Sequence, residues 1–166
     1  MKRLIWAGLF GLGVLFGGMA WIRFAPDDPA RWNLLRDSPL ADVGLAEIGP
    51  EINAISEVEG GARALRFDTR ADPAALLACL DAVALATPRT RRLAGSIAEG
   101  RITWITRSAI FGFPDYTTAE VRQEKDATRL EIHGRLRYGK SDFGVNVARV
   151  TDWLDGLAKC PAGQAG

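Results

Sequence analysis

The residues best suited to chemistry in this chain are cationic. Arg107, Arg135, Arg137, Lys140 and Arg149 fall within residues 101–149, beside the loop Gly139-Lys140-Ser141-Asp142-Phe143-Gly144-Val145-Asn146. Guanidinium groups grip planar anions through paired N–H donors, and the free N–H groups where a loop enters a helix add positive partial charge. If the arginine-bearing strands are neighbours, these groups converge on a site for a carboxylate, a phosphate or a lipid headgroup, with Ser141, Asp142 and Asn146 as its polar loop. The same residues admit a structural reading. In it Arg137 and Arg149 pair with Asp142 and Asp115, pin the loop and hold Phe143 in the core.

An enzyme would need more. His133 is the one histidine, and with Asp115 or Asp142 and a serine such as Ser108 or Ser141 it would compose a hydrolase-like set. No GxSxG setting accompanies these residues. With no CxxC and no cluster of His and Cys, neither a metal nor another cofactor is expected. A net charge of +1 argues against a general nucleic-acid binder. The preferred expectation is a non-catalytic module for an anionic small molecule, a lipid headgroup or an envelope protein; the alternative is the hydrolase built on His133.

The elements that must position these groups are strands and one helix. From residue 128 to 138 Leu130, Ile132, Gly134, Leu136 and Tyr138 alternate with Arg129, Glu131, His133, Arg135 and Arg137, so one face is packed and the other polar. Residues 116–123 alternate too, and the short polar link between the two runs predicts an antiparallel hairpin. Residues 101–111 predict a more buried strand, closed by Gly112 and the Pro114-Asp115 turn. Downstream, Val147, Val150, Trp153, Leu154 and Leu157 form one apolar helical stripe, with Asn146 as its expected N-cap.

The order of an Arg-Ser strand, GFPDY, a basic strand ending in RYG, and then KSDFGVN with a further arginine resembles the DUF1499 family, catalogued only as a domain of unknown function. The likeness is strongest over residues 101–149 and extends back to about residue 50. Gly134 and Leu136 stand where that family's strand often carries serines. The resemblance implies membership of a family without an established activity.

Earlier in the chain, Lys2 and Arg3 precede an uncharged run, residues 4–22, flanked near its ends by Trp6 and Trp21. As a helix it would be about 28 Å long, close to a hydrocarbon core of about 30 Å. A cleaved signal peptide is the rival, with Gly18-Met19-Ala20 as a possible cleavage site, but the run exceeds the usual apolar stretch of such peptides. The positive-inside rule then puts the N-terminus in the cytoplasm and the domain in the periplasm, as a single-pass inner-membrane protein. Gly13 and Gly17 form one GxxxG, weak support for pairing of two such helices.

The expected organisation is a transmembrane signal-anchor (1–23), a tether or packed strap (24–49), an α+β domain (50–160) and a flexible tail (161–166). Trp32, Leu34, Leu35, Leu40 and Val43 are costly to leave in water, which favours packing of the strap. Short strands at 50–58 and 62–68 flank a Gly60-Gly61 turn, and Asp72-Pro73 starts a helix that Thr87-Pro88 ends. Arg89, Arg91 and Arg92 crowd a short loop, for which a solvated loop is the preferred expectation and contact with an anionic lipid or a phosphate the alternative. The sum is a small antiparallel sheet with two helices on one face and the arginine face left to solvent. In an exported domain Cys79 and Cys160 are free to pair, but the preferred expectation leaves Cys79 a small buried residue without a bridge.

Overall fold

In the computed structural model, which describes residues 2–35, 48–49 and 53–160, the apolar N-terminal run forms helix α1 (Lys2–Phe24) and a single turn follows as α2 (Pro29–Trp32). The chain continues as β1 (Asn53–Val58), β2 (Gly61–Asp68), α3 (Pro73–Ala86), β3 (Thr90–Ser96), β4 (Arg101–Arg107), β5 (Pro114–Gln123), β6 (Thr128–Leu136) and α4 (Val145–Leu157). The strands form one sheet in the order β1-β2-β6-β5-β4-β3, antiparallel at every pairing. This is the expected α+β architecture, preceded by one helix long and apolar enough to cross a membrane.

The strand β3 was not expected. Arg91 and Arg92 belong to it and not to a loop, because they alternate: Arg91 lies opposite Ile105 on one face, and Arg92 reaches Asp81 of α3 on the other. A bulge between Arg92 and Ala94 then breaks the period. The β1–β2 turn is Glu59-Gly60, one residue earlier than the glycine pair suggests, with Gly60 at φ 69°.

One sheet face carries the apolar core. Leu76, Leu77, Leu80 and Ala84 of α3 and Val150, Trp153, Leu154 and Leu157 of α4 pack on Ala62, Ala64, Ile102, Trp104, Ala119, Leu130 and Ile132. Each large apolar side chain buried there contributes about 1.5–3 kcal/mol. Trp104 and Trp153 meet edge to face at 5.4 Å, and each indole N–H has an acceptor, Asp81 Oδ1 and Thr87 Oγ1, both at 2.8 Å. A buried indole N–H usually finds such a partner.

Capping sets where the helices begin. Asp72 accepts from the Ala75 amide at 2.9 Å and Pro73 follows, as expected for α3. For α4 the expectation needs correction. Asn146 is buried inside its first turn, and Asp142 takes the Asn146 and Gly144 amides at 2.7 and 3.1 Å. Asn146 packs so closely on β6 that a Cβ at Gly134 would lie 2.8 Å from its Oδ1, which accounts for glycine at that strand position.

The second sheet face is not wet. Trp32 lies flat on Tyr116, ring centroids 3.9 Å apart and planes 10° from parallel, with Ile105 and Leu93 around them. The strap packs on the arginine face through Asp27, Trp32 and Asn33; Leu40 and Val43 lie outside the described residues.

Cys79 of α3 and Cys160, just beyond α4, form a disulfide with their Cα atoms 6.4 Å apart, across a sequence separation of 81 residues. Closing a loop of that size removes freedom chiefly from the unfolded chain. Replacing both cysteines by serine is expected to lower unfolding free energy by about 2–4 kcal/mol, measured by urea denaturation of the full chain in detergent.

Candidate functional site

The arginine face is organised around a residue of the strap. Asp27, its side chain only 8% exposed, accepts from Arg91 at 2.8 Å, Arg107 at 3.1 Å, Arg137 at 3.1 Å and the Tyr116 hydroxyl at 2.6 Å. Period two in β3, β4 and β5 puts Arg91, Arg107 and Tyr116 on one face, and the Arg137 amide bonds Pro114 O, bringing Arg137 level with Arg107 across β5. Burial, with the Asp27 charge beside it, pushes the Tyr116 hydroxyl up to about 12. Further along, the Trp32 carbonyl accepts from Arg135 at 2.6 Å and Thr118 at 3.0 Å, so the strap's backbone is satisfied by the sheet's polar side chains.

Beside this latch lies a cleft of about 350 Å³ lined by Trp32, Glu59, Gly60, His133, Arg135, Leu136, Gly139 and Lys140. His133 is 7% exposed, and its Nδ1 has no hydrogen-bond partner among the described residues. Burial and the charges of Arg63 and Arg135 bring the imidazole down to about 3, so it is neutral at physiological pH. The cleft thus holds the Lys140 ammonium, a neutral imidazole, the Arg135 guanidinium already bonded to the Trp32 carbonyl and Thr118, and one carboxylate, Glu59. It is equipped to hold an anion and poorly equipped to transfer a proton at neutral pH.

The remaining candidates sit on the opposite side of the sheet or in the loop. Arg149 pairs with Asp115 at 2.9 Å and donates to Asn146 Oδ1 at 2.8 Å, in a second cleft of about 450 Å³ that also touches Arg107 and Asp152. Burial raises the Asp115 carboxyl above its ordinary value against the pull of Arg149. Burial also pushes Asp142 upward, but the amides of Asn146 and Gly144 outweigh it and hold that carboxyl below its usual value. Ser141 Oγ accepts from the Phe143 amide at 3.3 Å.

The expected single cluster is therefore divided. Arg107 and Arg137 meet on Asp27, Arg135 and Lys140 share the His133 cleft, and Arg149, Asn146 and Asp115 meet on the helix side. Of the structural pairings, Arg149 with Asp115 holds; Arg137 turns to Asp27 and not to Asp142. Phe143 is 96% exposed, not in the core, because its own backbone (φ 54°) and that of Gly144 (φ 81°) are left-handed and turn it outward. The hydrolase set is not assembled either. His133 pairs with Thr118 and Asp115 with Leu136, registers that put His133 and Asp115 on opposite faces. Asp142 is occupied at the start of α4, outside the His133 cleft. Among the described residues no group of His, Cys, Asp or Glu gathers as a metal ion would require.

Asp27, Trp32 and Tyr116 were missed as site residues. The signal for Asp27 was an excess of arginine over acid on one face, where Arg129, Arg135 and Arg137 stand with Glu131 as the one acid of the 128–138 run. A family model described as a protein of unknown function (DUF1499) matches residues 50–157, a span that begins after the strap and ends with α4. No curated protein matches the chain.

Two outcomes follow. Asp27→Ala takes the shared acid from half-buried Arg107 and Arg137 and from exposed Arg91 and is expected to cost about 1–3 kcal/mol, read as a lower unfolding midpoint together with red-shifted tryptophan emission as Trp32 leaves Tyr116. His133 sits below its unfolded value of about 6.5, so the native state loses stability as pH falls from about 6.5 toward 3, by at most about 1.4 kcal/mol per pH unit. Denaturation at pH 7 and pH 5 measures this loss; His133→Gln removes it, and an equal loss in that variant would assign the slope to other groups.

Proposed function

This chain belongs to the DUF1499 family, whose description assigns no activity, and from its geometry we propose that it is a membrane-anchored, non-catalytic binding module. α1 spans the inner membrane once with its N-terminus in the cytoplasm, and the α+β domain stands in the periplasm. Three features support that placement. The window Ile5–Phe24 has no share of its length buried against the rest of the chain. Arg3 precedes it and Asp27 and Asp28 follow it, in keeping with the positive-inside rule. The Cys79–Cys160 bridge suits an oxidising compartment.

The ligand is a small anion, and its place is the cleft of Trp32, His133, Arg135 and Lys140. The observation that carries this reading is the buried His133 Nδ1, without a partner among the described residues, in a cleft where Arg135 and Lys140 outnumber Glu59. Of the loop residues, Gly139 and Lys140 border the ligand, while Ser141, Asp142 and Asn146 hold the loop in shape. Arg107, Arg137 and Arg149 act at one remove, by fixing the strap and α4.

Thermal unfolding of the full chain in detergent, with inorganic phosphate or succinate, tests the site. A stabilisation approaching about 2.7 kcal/mol at one hundred times the dissociation constant is expected for the wild type, with a clear loss in Lys140→Ala. Lys140 is exposed, and its carbonyl, which accepts from the Gly60 amide at 3.0 Å, is kept in the alanine variant, so removing the side chain reports on binding. Equal stabilisation of wild type and variant, or none in either, would sink the proposal.

A further inference from the structure

We propose that a second site, at the junction of α1 with the domain, binds the phosphodiester headgroup of an anionic phospholipid. This rests on the anchored reading of α1. A cleft of about 310 Å³ is lined there by Arg23, Arg89, Arg91 and Arg107, with Ile105 and Ser108 between them. Arg23 stands in the last turn of α1, immediately after the apolar run, where the hydrocarbon gives way to headgroups. The β4–β5 connection lies against it: a Cβ at Gly112 would be 3.5 Å from Arg23 Nη1.

Charge makes this cleft an anion site. Four guanidinium groups face it, and the acid on hand is Asp27, already shared among Arg91, Arg107 and Arg137. Arg89 donates its Nε to the Arg107 carbonyl, and neither Arg89 nor Arg23 has a carboxylate partner among the described residues. Two forked donors in excess of the local acid suit a phosphate oxygen pair, which arginine binds in a bidentate manner.

Position selects a lipid over free phosphate. Ile110, 75% exposed, and Phe111 stand at the tip of the same connection, with Phe111 and Phe113 rings 5.7 Å apart. Apolar and aromatic side chains next to a basic cluster at the exit of a spanning helix match the polarity step of a bilayer, with rings at the headgroup level and cations at the phosphates. Nothing else in the described chain covers Ile110.

The test uses the full chain in nanodiscs of phosphatidylcholine alone or mixed with phosphatidylglycerol, read by thermal midpoint and by lipid retention in native mass spectrometry. The Arg23→Gln/Arg89→Gln variant spares the Asp27 latch, so it isolates the headgroup site. Wild type should melt higher with phosphatidylglycerol and retain it, and the variant should lose about tenfold in that preference. Equal midpoints in the two nanodiscs overturn the site. So does a stabilisation by inorganic phosphate in detergent that Arg23→Gln/Arg89→Gln abolishes to the same degree, which would make it a free-phosphate site. Alkaline carbonate extraction separates the two readings: a chain stripped from membranes refutes the anchor and the site with it, whereas an extraction-resistant chain indifferent to headgroup refutes the site alone.

Discussion

One buried carboxylate holds the arginine face together. Arg91, Arg107 and Arg137 come from three separate stretches of chain, and side by side on one sheet face they repel unless an opposite charge lies among them. Asp27 supplies it, with the Tyr116 hydroxyl as a fourth donor. The pairing matters because the carboxylate has left water and Arg107 and Arg137 have partly done so, while Arg91 stays more than half exposed and adds no more than a surface ion pair. The strap is therefore part of the domain physically, although it precedes the span that the family match covers.

Docking of the strap turns a one-sided sheet into a covered one. The helix face is closed by tryptophans and leucines, the other by Trp32 on Tyr116 and by carbonyls that Arg135, Thr118 and Arg101 satisfy. The clefts at His133, at Arg149 and at Arg23 consequently gather where the strands end, around the loops that link them. Those loops are also where backbone conformations depart from the regular, at Arg89, Phe143 and Gly144.

How much of this was legible depended on range. β6 could be read residue by residue because one face is apolar, the other polar and the period unbroken, and α3 because a cap and a proline mark its start within two positions. β3 was hidden by its own arginines and by the bulge at Leu93, which remove the alternation a reader looks for. The latch was out of reach for a different reason. Asp27 lies 64 residues from Arg91 and 110 from Arg137, and no local pattern records a contact that only the folded sheet creates. The outward turn of Phe143 likewise rests on two left-handed residues in succession, the first of which is not glycine. The dispersal of the cationic candidates followed from period two: Arg135 and Arg137 share a face that Arg149, on a helix packed behind it, never sees.

Only Ala25 and Pro26 separate the last residue of α1 from the latched Asp27. A link that short spans at most about 7–10 Å even when fully drawn out. With α1 inserted as proposed, the domain is a fixture on the bilayer with no free tether: it cannot sweep the periplasm on a leash, and its working volume is a shell about one domain deep. Whatever it binds must already be at the membrane surface, presented from the lipid side or carried there by something else. Lengthening the link would change which molecules it meets without altering a single atom of its clefts.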